Sequence, residues 1–360
     1  MSQLYISRSK VIVHEESSAD TFCNYSGNWE NTMTFNASRL GGGDFKVECI
    51  LPAAAFLKQI LSPINPSLGG RNVSVFKVNS SDYSNTQLKN LFYIHFVFQQ
   101  NCSFVIMLSG SAMMSGQAMY TCVRVPKGRF HKYSVTYKDG SQYRGTVDVA
   151  IPLQTLLVCL NMYNHNQEVV LFYDSDERHM VLTGNCLNYS EYKRLNDVDQ
   201  IMICRMKTIN MNPLQLPFDG SDFKFIGVDY FSISPKLLYP CLHDIASDSN
   251  SSKLVLELLP PEENQSSCVL GLARGRATMA LEWDFTYDTN VFDEFNVSSP
   301  HLHTYSTRCW LGVANGIKLA RRIRIAVKND GILLIQVSML DPLSDGINFY
   351  YHMYPLLDTV

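Results

Sequence analysis

Residues 310–340 read WLGVANGIKLARRIRIAVKNDGILLIQVSML, and the period of the apolar positions changes inside that stretch. Up to Lys318 the apolar side chains recur at helical spacing. Trp310, Val313, Ala314 and Ile317 form one stripe, with Arg308, Gly312 and Asn315 opposite. From Ala320 the period drops to two. Ile323, Ile325 and Val327 take one face, and Arg322, Arg324 and Lys328 take the other. Asn329-Asp330-Gly331 supplies a turn before a second apolar run, ILLIQVSM. The segment therefore predicts a helix feeding a β-hairpin. Its basic run, Lys318, Arg321, Arg322, Arg324 and Lys328, reads first as the solvated face of a strand. A nuclear localisation signal fits less well, because core residues interrupt the charges. Contact with phosphate stays open.

The same change of period occurs three more times. FKVECI leads into LPAAAFLKQILS, and TVDVAI leads into PLQTLLVCLNMY, the two aligning on Pro52 and Pro152. Proline in a first helical turn sacrifices no backbone bond. YFSIS leads into PKLLYPCLHDIA, as HTY leads into STRCWLGVANGI. Each predicted helix has one apolar stripe. Ala53, Phe56, Leu57 and Ile60 leave Lys58 outside; Leu153, Leu156, Leu157 and Leu160 leave Gln154 and Asn161 outside. Leu238, Cys241, Leu242 and Ile245 leave Lys236 and His243 outside. Between the helices run short alternating segments such as FVIML, YTCVRV, YSVTY, VVLFY, HMVLTG, LVLEL and TMALEWDF. Turn residues such as Lys138-Asp139-Gly140 separate many of them, which predicts antiparallel sheet. A unit of one helix and several strands thus recurs four times. The expected class is α+β, with four short helices lining one face of large antiparallel sheets.

Punctuation divides the chain. Residues 1–43 are polar and end in RLGGGD, which reads as a weakly ordered extension. Residues 66–90 read as a polar insertion. Residues 207–222, with two prolines and no helical period, read as a linker. Domains of 44–206 and 223–360 follow.

Composition narrows the function. The chain has 360 residues, 46% hydrophobic and 18% charged, which excludes a wholly disordered protein. A protein that grips nucleic acid through many phosphate contacts is usually basic overall, so at a net charge of −3 any contact with DNA is expected to be local. No apolar run reaches membrane-span length, and the first residues lack a signal-peptide core, so a cytosolic or nuclear protein is expected. The ten cysteines form no CxxC pair. Reduced core thiols are expected, with no zinc site, other metal or cofactor. Asn-x-Ser/Thr sequons at Asn24, Asn36, Asn72, Asn79, Asn101, Asn188, Asn250, Asn264 and Asn296 keep a secreted β-rich glycoprotein as an alternative. A metal-dependent 3'-5' DNA exonuclease is a second alternative. It needs clustered carboxylates, and the best cluster is Asp174, Asp176, Glu177 and His179, which also reads as a hairpin turn. Asp341 and Asp345 lie in another loop-like stretch.

The run LHTYSTRCWLGVANGIKLARRIRIAVKNDGILLIQVSML, followed by DPLSDGINFYYHMYPL, resembles the C-terminal half of the Rad-one-type subunit of the heterotrimeric checkpoint sliding clamp, the nine-one-one complex. The carriers are a Tyr before the last helix, the helix-to-hairpin passage with NDGIL and IQ, and the closing aromatic strand. SKLVLELLPPEENQSSCVLGLARGRATMALEWDFTYDTNVFDEFNV, VDVAIPLQTLLVCLNMY and MMSGQAMYTCVRV resemble further segments of that family. Residues 1–43 and 66–90 have no clear counterpart, and Asn315 stands where a basic residue is expected.

The resemblance implies a processivity-clamp fold like that of the proliferating-cell nuclear antigen, with two similar halves, sheets outside and helices lining the hole. It implies a non-enzymatic nuclear subunit that closes a ring with two other clamp subunits. A clamp loader places the ring on double-stranded DNA, independently of sequence, and repair proteins and checkpoint-kinase activators are recruited to it. Lys58, Lys236, His243, Arg308 and Asn315 are then the DNA-facing residues, with Lys318, Arg321 and Arg322 as additional basic contacts.

Overall fold

The computed structural model describes residues 2–6, 10–15, 45–61, 63, 93–99, 104–109, 119–184, 202–208, 228–247, 253–261, 266–274, 278–286, 291–339 and 346–356. Two compact units emerge. The first comprises Met1–Gln59, Leu91–Ser109 and Val125–Phe223; the second comprises Ile60–Asn90, Gly110–Arg124 and Lys224–Val360. The predicted 66–90 insertion and residues 209–222 of the predicted linker lie outside the described residues.

In the first unit, β3 (Phe45–Leu51) is hydrogen-bonded on one side to β7 (Lys132–Tyr137) and on the other to β9 (Val169–Asp174). The ladder continues through β10 (His179–Gly184) to β11 (Ile203–Lys207), every pair antiparallel. Two strands inside the predicted N-terminal extension, β1 (Ser2–Ile6) and β2 (Lys10–Glu15), form a hairpin whose second strand runs parallel to β11. A second ladder holds β5 (Phe104–Ser109), β4 (Tyr93–Gln99) and β8 (Thr146–Pro152). Helix α1 (Ala54–Leu61) buries Phe56, Leu57 and Ile60; helix α2 (Leu153–Asn161) buries Leu153, Leu156, Cys159 and Leu160. Pro152 stands with extended backbone immediately before α2, at its N-cap rather than in the first helical turn that the sequence predicts. The first amides of α1 are satisfied from outside the helix. Ala54 and Ala55 N–H donate to the carbonyls of Gln167 and His165, at 2.8 and 3.0 Å.

In the second unit, β12 (Asp229–Ile233), β16 (Phe292–Asn296), β18 (Ala320–Val327), β19 (Leu333–Met339), β20 (Asn348–Met353) and β6 (Met119–Val125) pair antiparallel in the order β16-β12-β18-β19-β20-β6. A four-stranded sheet holds β15 (Thr278–Thr286), β14 (Ser266–Arg274), β13 (Lys253–Leu258) and β17 (His301–Ser306). Helix α3 (Pro235–Ser247) and helix α4 (Thr307–Lys318) pack against each other and against β18. The face of β18 they cover carries Ile323, Ile325 and Val327, each at most 1% exposed. Period-two alternation thus puts Arg322 and Arg324 on the face away from the helices.

The Tyr that precedes the last helix, Tyr305, is fully buried and donates its hydroxyl to the carbonyl of Gly331 at 2.8 Å. That bond ties the end of β17 to the predicted hairpin turn, where Gly331 has φ +81°. Gly140 has φ +89° in the other predicted turn. The described cysteines, Cys49, Cys122, Cys159, Cys204, Cys241, Cys268 and Cys309, are buried free thiols. Burial pushes Cys122 up to about 12 and Cys309 up to about 11, so both are inert neutral core groups.

Candidate functional site: the polar faces of the helices

On each helix a buried stripe forces the polar residues outward. On α1, Lys58 is half-buried in the last turn and Gln59 exposed. On α2, Gln154 and Asn161 are exposed, so its outward face is uncharged. On α3, Lys236 and His243 are both exposed, and His243 Nδ1 lies 3.9 Å from Asp244 Oδ1. Leu237 is 38% exposed beside Lys236. On α4, Asn315 is half-buried and Lys318 exposed in the last turn. The side chain of Arg308 lies outside the described residues, although its backbone opens α4. The helices thus present a few dispersed cations rather than a dense basic stripe. Such a surface attracts a phosphate backbone weakly and does not read bases.

The strand residues of the basic run are placed differently. Arg321 is exposed on β18. Arg322 is half-buried on the sheet face opposite the helices, with its Nη2 2.8 Å from Glu294 Oε1 and its Nε donating to Ser232 Oγ at 3.1 Å. Arg324 Nη2 lies 2.6 Å from Glu294 Oε2, and its guanidinium sits over the Tyr230 ring. Burial pulls the Glu294 carboxyl up, but the hydrogen bonds and charges of Arg324 and Arg322 outweigh it and hold the group below its usual range. No spacing in the sequence signals this triad, because Glu294 lies far along the chain from both arginines.

The carboxylates proposed for metal binding are employed locally. Residues 174–179 form the β9–β10 turn, with Arg178 at φ +50°. Asp174 Oδ1 accepts the Asp176 N–H at 3.0 Å, Lys138 pairs with Asp176, and His179 Nδ1 approaches the Glu177 carbonyl at 2.5 Å. Among the described residues, no group of three or more His, Cys, Asp or Glu side chains is arranged to hold a metal ion. Asp341 and Asp345 lie outside the described residues.

One constellation escaped sequence reasoning. Asp229 Oδ1 accepts from the N–H and hydroxyl of Ser298 at 3.0 and 2.7 Å; Oδ2 accepts from those of Ser299 at 3.2 and 2.9 Å. His301 Nε2 stands 2.7 Å from Oδ2 and 3.3 Å from Ser299 Oγ. A catalytic triad needs the acid on one imidazole nitrogen and the nucleophile on the other. Here one nitrogen faces both, and the hydroxyl donates to the acid itself. The group is a structural clasp holding the β16–β17 connection to β12. Burial raises the Asp229 carboxyl, but hydrogen bonds from His301, Ser298 and Ser299 hold it well below the carboxylate range.

No helix among the described residues is long and apolar enough to cross a membrane. Of the sequon asparagines, Asn296 is described; it is exposed at the end of β16.

No family model matches the chain, and neither does any curated protein. Among solved structures, the proliferating cellular nuclear antigen of Entamoeba histolytica is similar at a TM-score of 0.55 and 7% identity, over 86% of this chain and 99% of that one. The likeness defines the class: an α+β processivity-clamp fold of mostly antiparallel sheets with, among the described residues, four α-helices. At that identity it speaks for the fold alone.

Proposed function

We propose that this chain is one subunit of a DNA sliding clamp, a ring that encircles duplex DNA and moves along it without reading sequence. The observation that carries the reading is a clamp fold spanning almost the whole of the similar structure. The exposed polar faces of the helices support it, because a ring held topologically needs only weak phosphate contact. In this reading Lys58, Lys236, His243, Arg308 and Asn315 face the DNA, and Lys318 and Arg321 add charge at the rim. Arg322, held by Glu294, is the poorest candidate of the set. The reading takes residues 44–206 and 223–360 as the two clamp modules, joined through 207–222, although Ile60–Asn90 and Gly110–Arg124 group with the second compact unit.

The motif order of residues 223–356 supports the finer reading: a Rad-one-type subunit of the nuclear nine-one-one checkpoint ring. The subunit closes the ring with two different clamp chains and is placed by a checkpoint clamp loader. It performs no chemistry itself and recruits repair and checkpoint-signalling proteins. Affinity purification of the tagged chain under native conditions, followed by mass spectrometry, tests this. Two further clamp-fold chains in equal amount, and loader subunits, are the expected result. Recovery of the chain alone, or with itself as a homotrimer, removes the checkpoint reading. Magnesium-dependent DNA degradation that Asp176→Ala abolishes replaces it with the exonuclease, and glycan at Asn296 replaces it with the secreted protein.

A further inference from the structure

The edge of β11 is filled by a strand from far upstream in the chain. Ile203 pairs with Lys10, Cys204 with Val11, Arg205 with Ile12 and Met206 with Val13. Among the described strands of this sheet it is the one parallel step in a ladder otherwise antiparallel from β1 to β7. Parallel pairing is slightly less stable per residue. The hairpin also ends the ladder: β1 pairs with β2 alone among the described residues, and no strand lies beyond it. A two-stranded hairpin is marginally stable by itself. Strand β11, by contrast, is fixed from its other side. It pairs with β10 along Ile203–Lys207, and Ile203, Cys204 and Met206 are buried. Tyr163 donates its hydroxyl to the Leu182 carbonyl at 2.7 Å, with the Met202 carbonyl at 3.3 Å and Cys204 Sγ at 3.5 Å. At the far end the Thr208 N–H donates to the Arg178 carbonyl at 3.0 Å. Removing β2 would therefore leave β11 in place, with an open row of backbone donors and acceptors.

We propose that β1–β2 is a detachable strap over a protein-docking edge, and that it leaves β11 before an edge strand of another clamp-fold chain pairs there. That partner rests on the ring reading above, in which a neighbouring chain closes an open sheet edge. The strap goes beyond that reading, because it makes docking at this edge an exchange of strands. The spacing of the edge selects the partner. Donors and acceptors repeating at strand rise are matched by an extended backbone, not by a helix or a nucleic acid. An antiparallel newcomer continues the sense of the ladder from β10 to β7, and each backbone bond it makes replaces one that β2 gives up. The strap thus lowers the affinity for the partner without altering the surface the partner meets.

The test compares the full-length chain with full-length Val11→Pro/Ile12→Pro. Successive residues of a strand point their backbone groups to opposite sides, so this pair removes a donor toward β11 whichever of the two faces it. Hydrogen exchange read by mass spectrometry should be at least about tenfold faster over residues 202–208 in the variant, with β9 and β3 unchanged. Equal exchange over 202–208 overturns the proposal, because no strap is then seated. Faster exchange in β9 and β3 as well overturns it too, because the hairpin is then an integral part of the sheet. Native affinity purification of the two tagged forms reads the partner. The variant should recover about fivefold more of the other clamp-fold chains. Equal or lower recovery overturns the strap and leaves the ring reading standing. Recovery of no clamp-fold chain by either form overturns the ring reading and, with it, the partner named here. A variant that instead associates with itself in gel filtration assigns the edge to a second copy and overturns that partner.

Discussion

His352 sits fully buried in β20, and burial together with the charge of Lys328 lowers its imidazole to about 3. The sign of the pH effect follows. The unfolded chain takes up this proton near 6.5 and the folded chain refuses it, so the stability is whole above 6.5 and erodes as pH falls toward 3. His303, lowered by burial and by His301, adds to the same slope. Urea midpoints between pH 6.5 and 4.5 should fall with acid, and His352→Phe should flatten that slope. Asp229 and Glu294 act lower. Their carboxyls are held down in the fold, so their contribution is intact above the carboxylate range and is lost as pH drops through it. Asp229→Ala strands the donors of Ser298, Ser299 and His301 and should cost about 3 kcal/mol in urea unfolding at neutral pH. None of this was legible beforehand. Asp229 and His301 are far apart in sequence, and neither lies in a recognisable motif.

At the scale of elements, α4 shows how closely helix and sheet approach. A Cβ on Gly316 would overlap the hydroxyl end of Tyr351, a fully buried ring whose hydroxyl donates to the Pro63 carbonyl. A Cβ on Gly312 would meet only the terminal methyl of Met119, the end of a flexible side chain, at 2.9 Å. Gly316→Ala should therefore destabilise by about 2 kcal/mol despite its better helix propensity, whereas Gly312→Ala should be neutral or stabilise by up to about 1 kcal/mol. Thermal unfolding of the two variants side by side checks the contrast. The helices were readable because each stripe is one-faced and each follows a strand, three of them through proline. Most strands were readable from period two. Strand β4, YIHFVFQ, was not, because residues 94–98 are buried on both faces and alternation disappears. Strand β16, FDEFN, hid behind its acidic residues; Phe292 is buried against Phe231 while Asp293 faces solvent.

For the whole molecule, the repeated helix-and-strand unit carried the fold, and the clamp class agrees with it. The functional surface was less readable, since an outward lysine on a helix looks the same whether it meets water or phosphate. Within the ring reading, Lys58→Glu with Lys236→Glu should leave assembly intact and reduce retention on DNA several-fold, the more so at low salt, in a gel-filtration assay of loaded complexes. Encirclement itself is tested most directly by topology. The assembled complex is loaded onto nicked circular DNA, which is then cut once with a restriction enzyme. The account predicts stable retention on the circle and rapid loss on linearisation, restored when the DNA ends are blocked. Equal retention on circular and open linear DNA would contradict it.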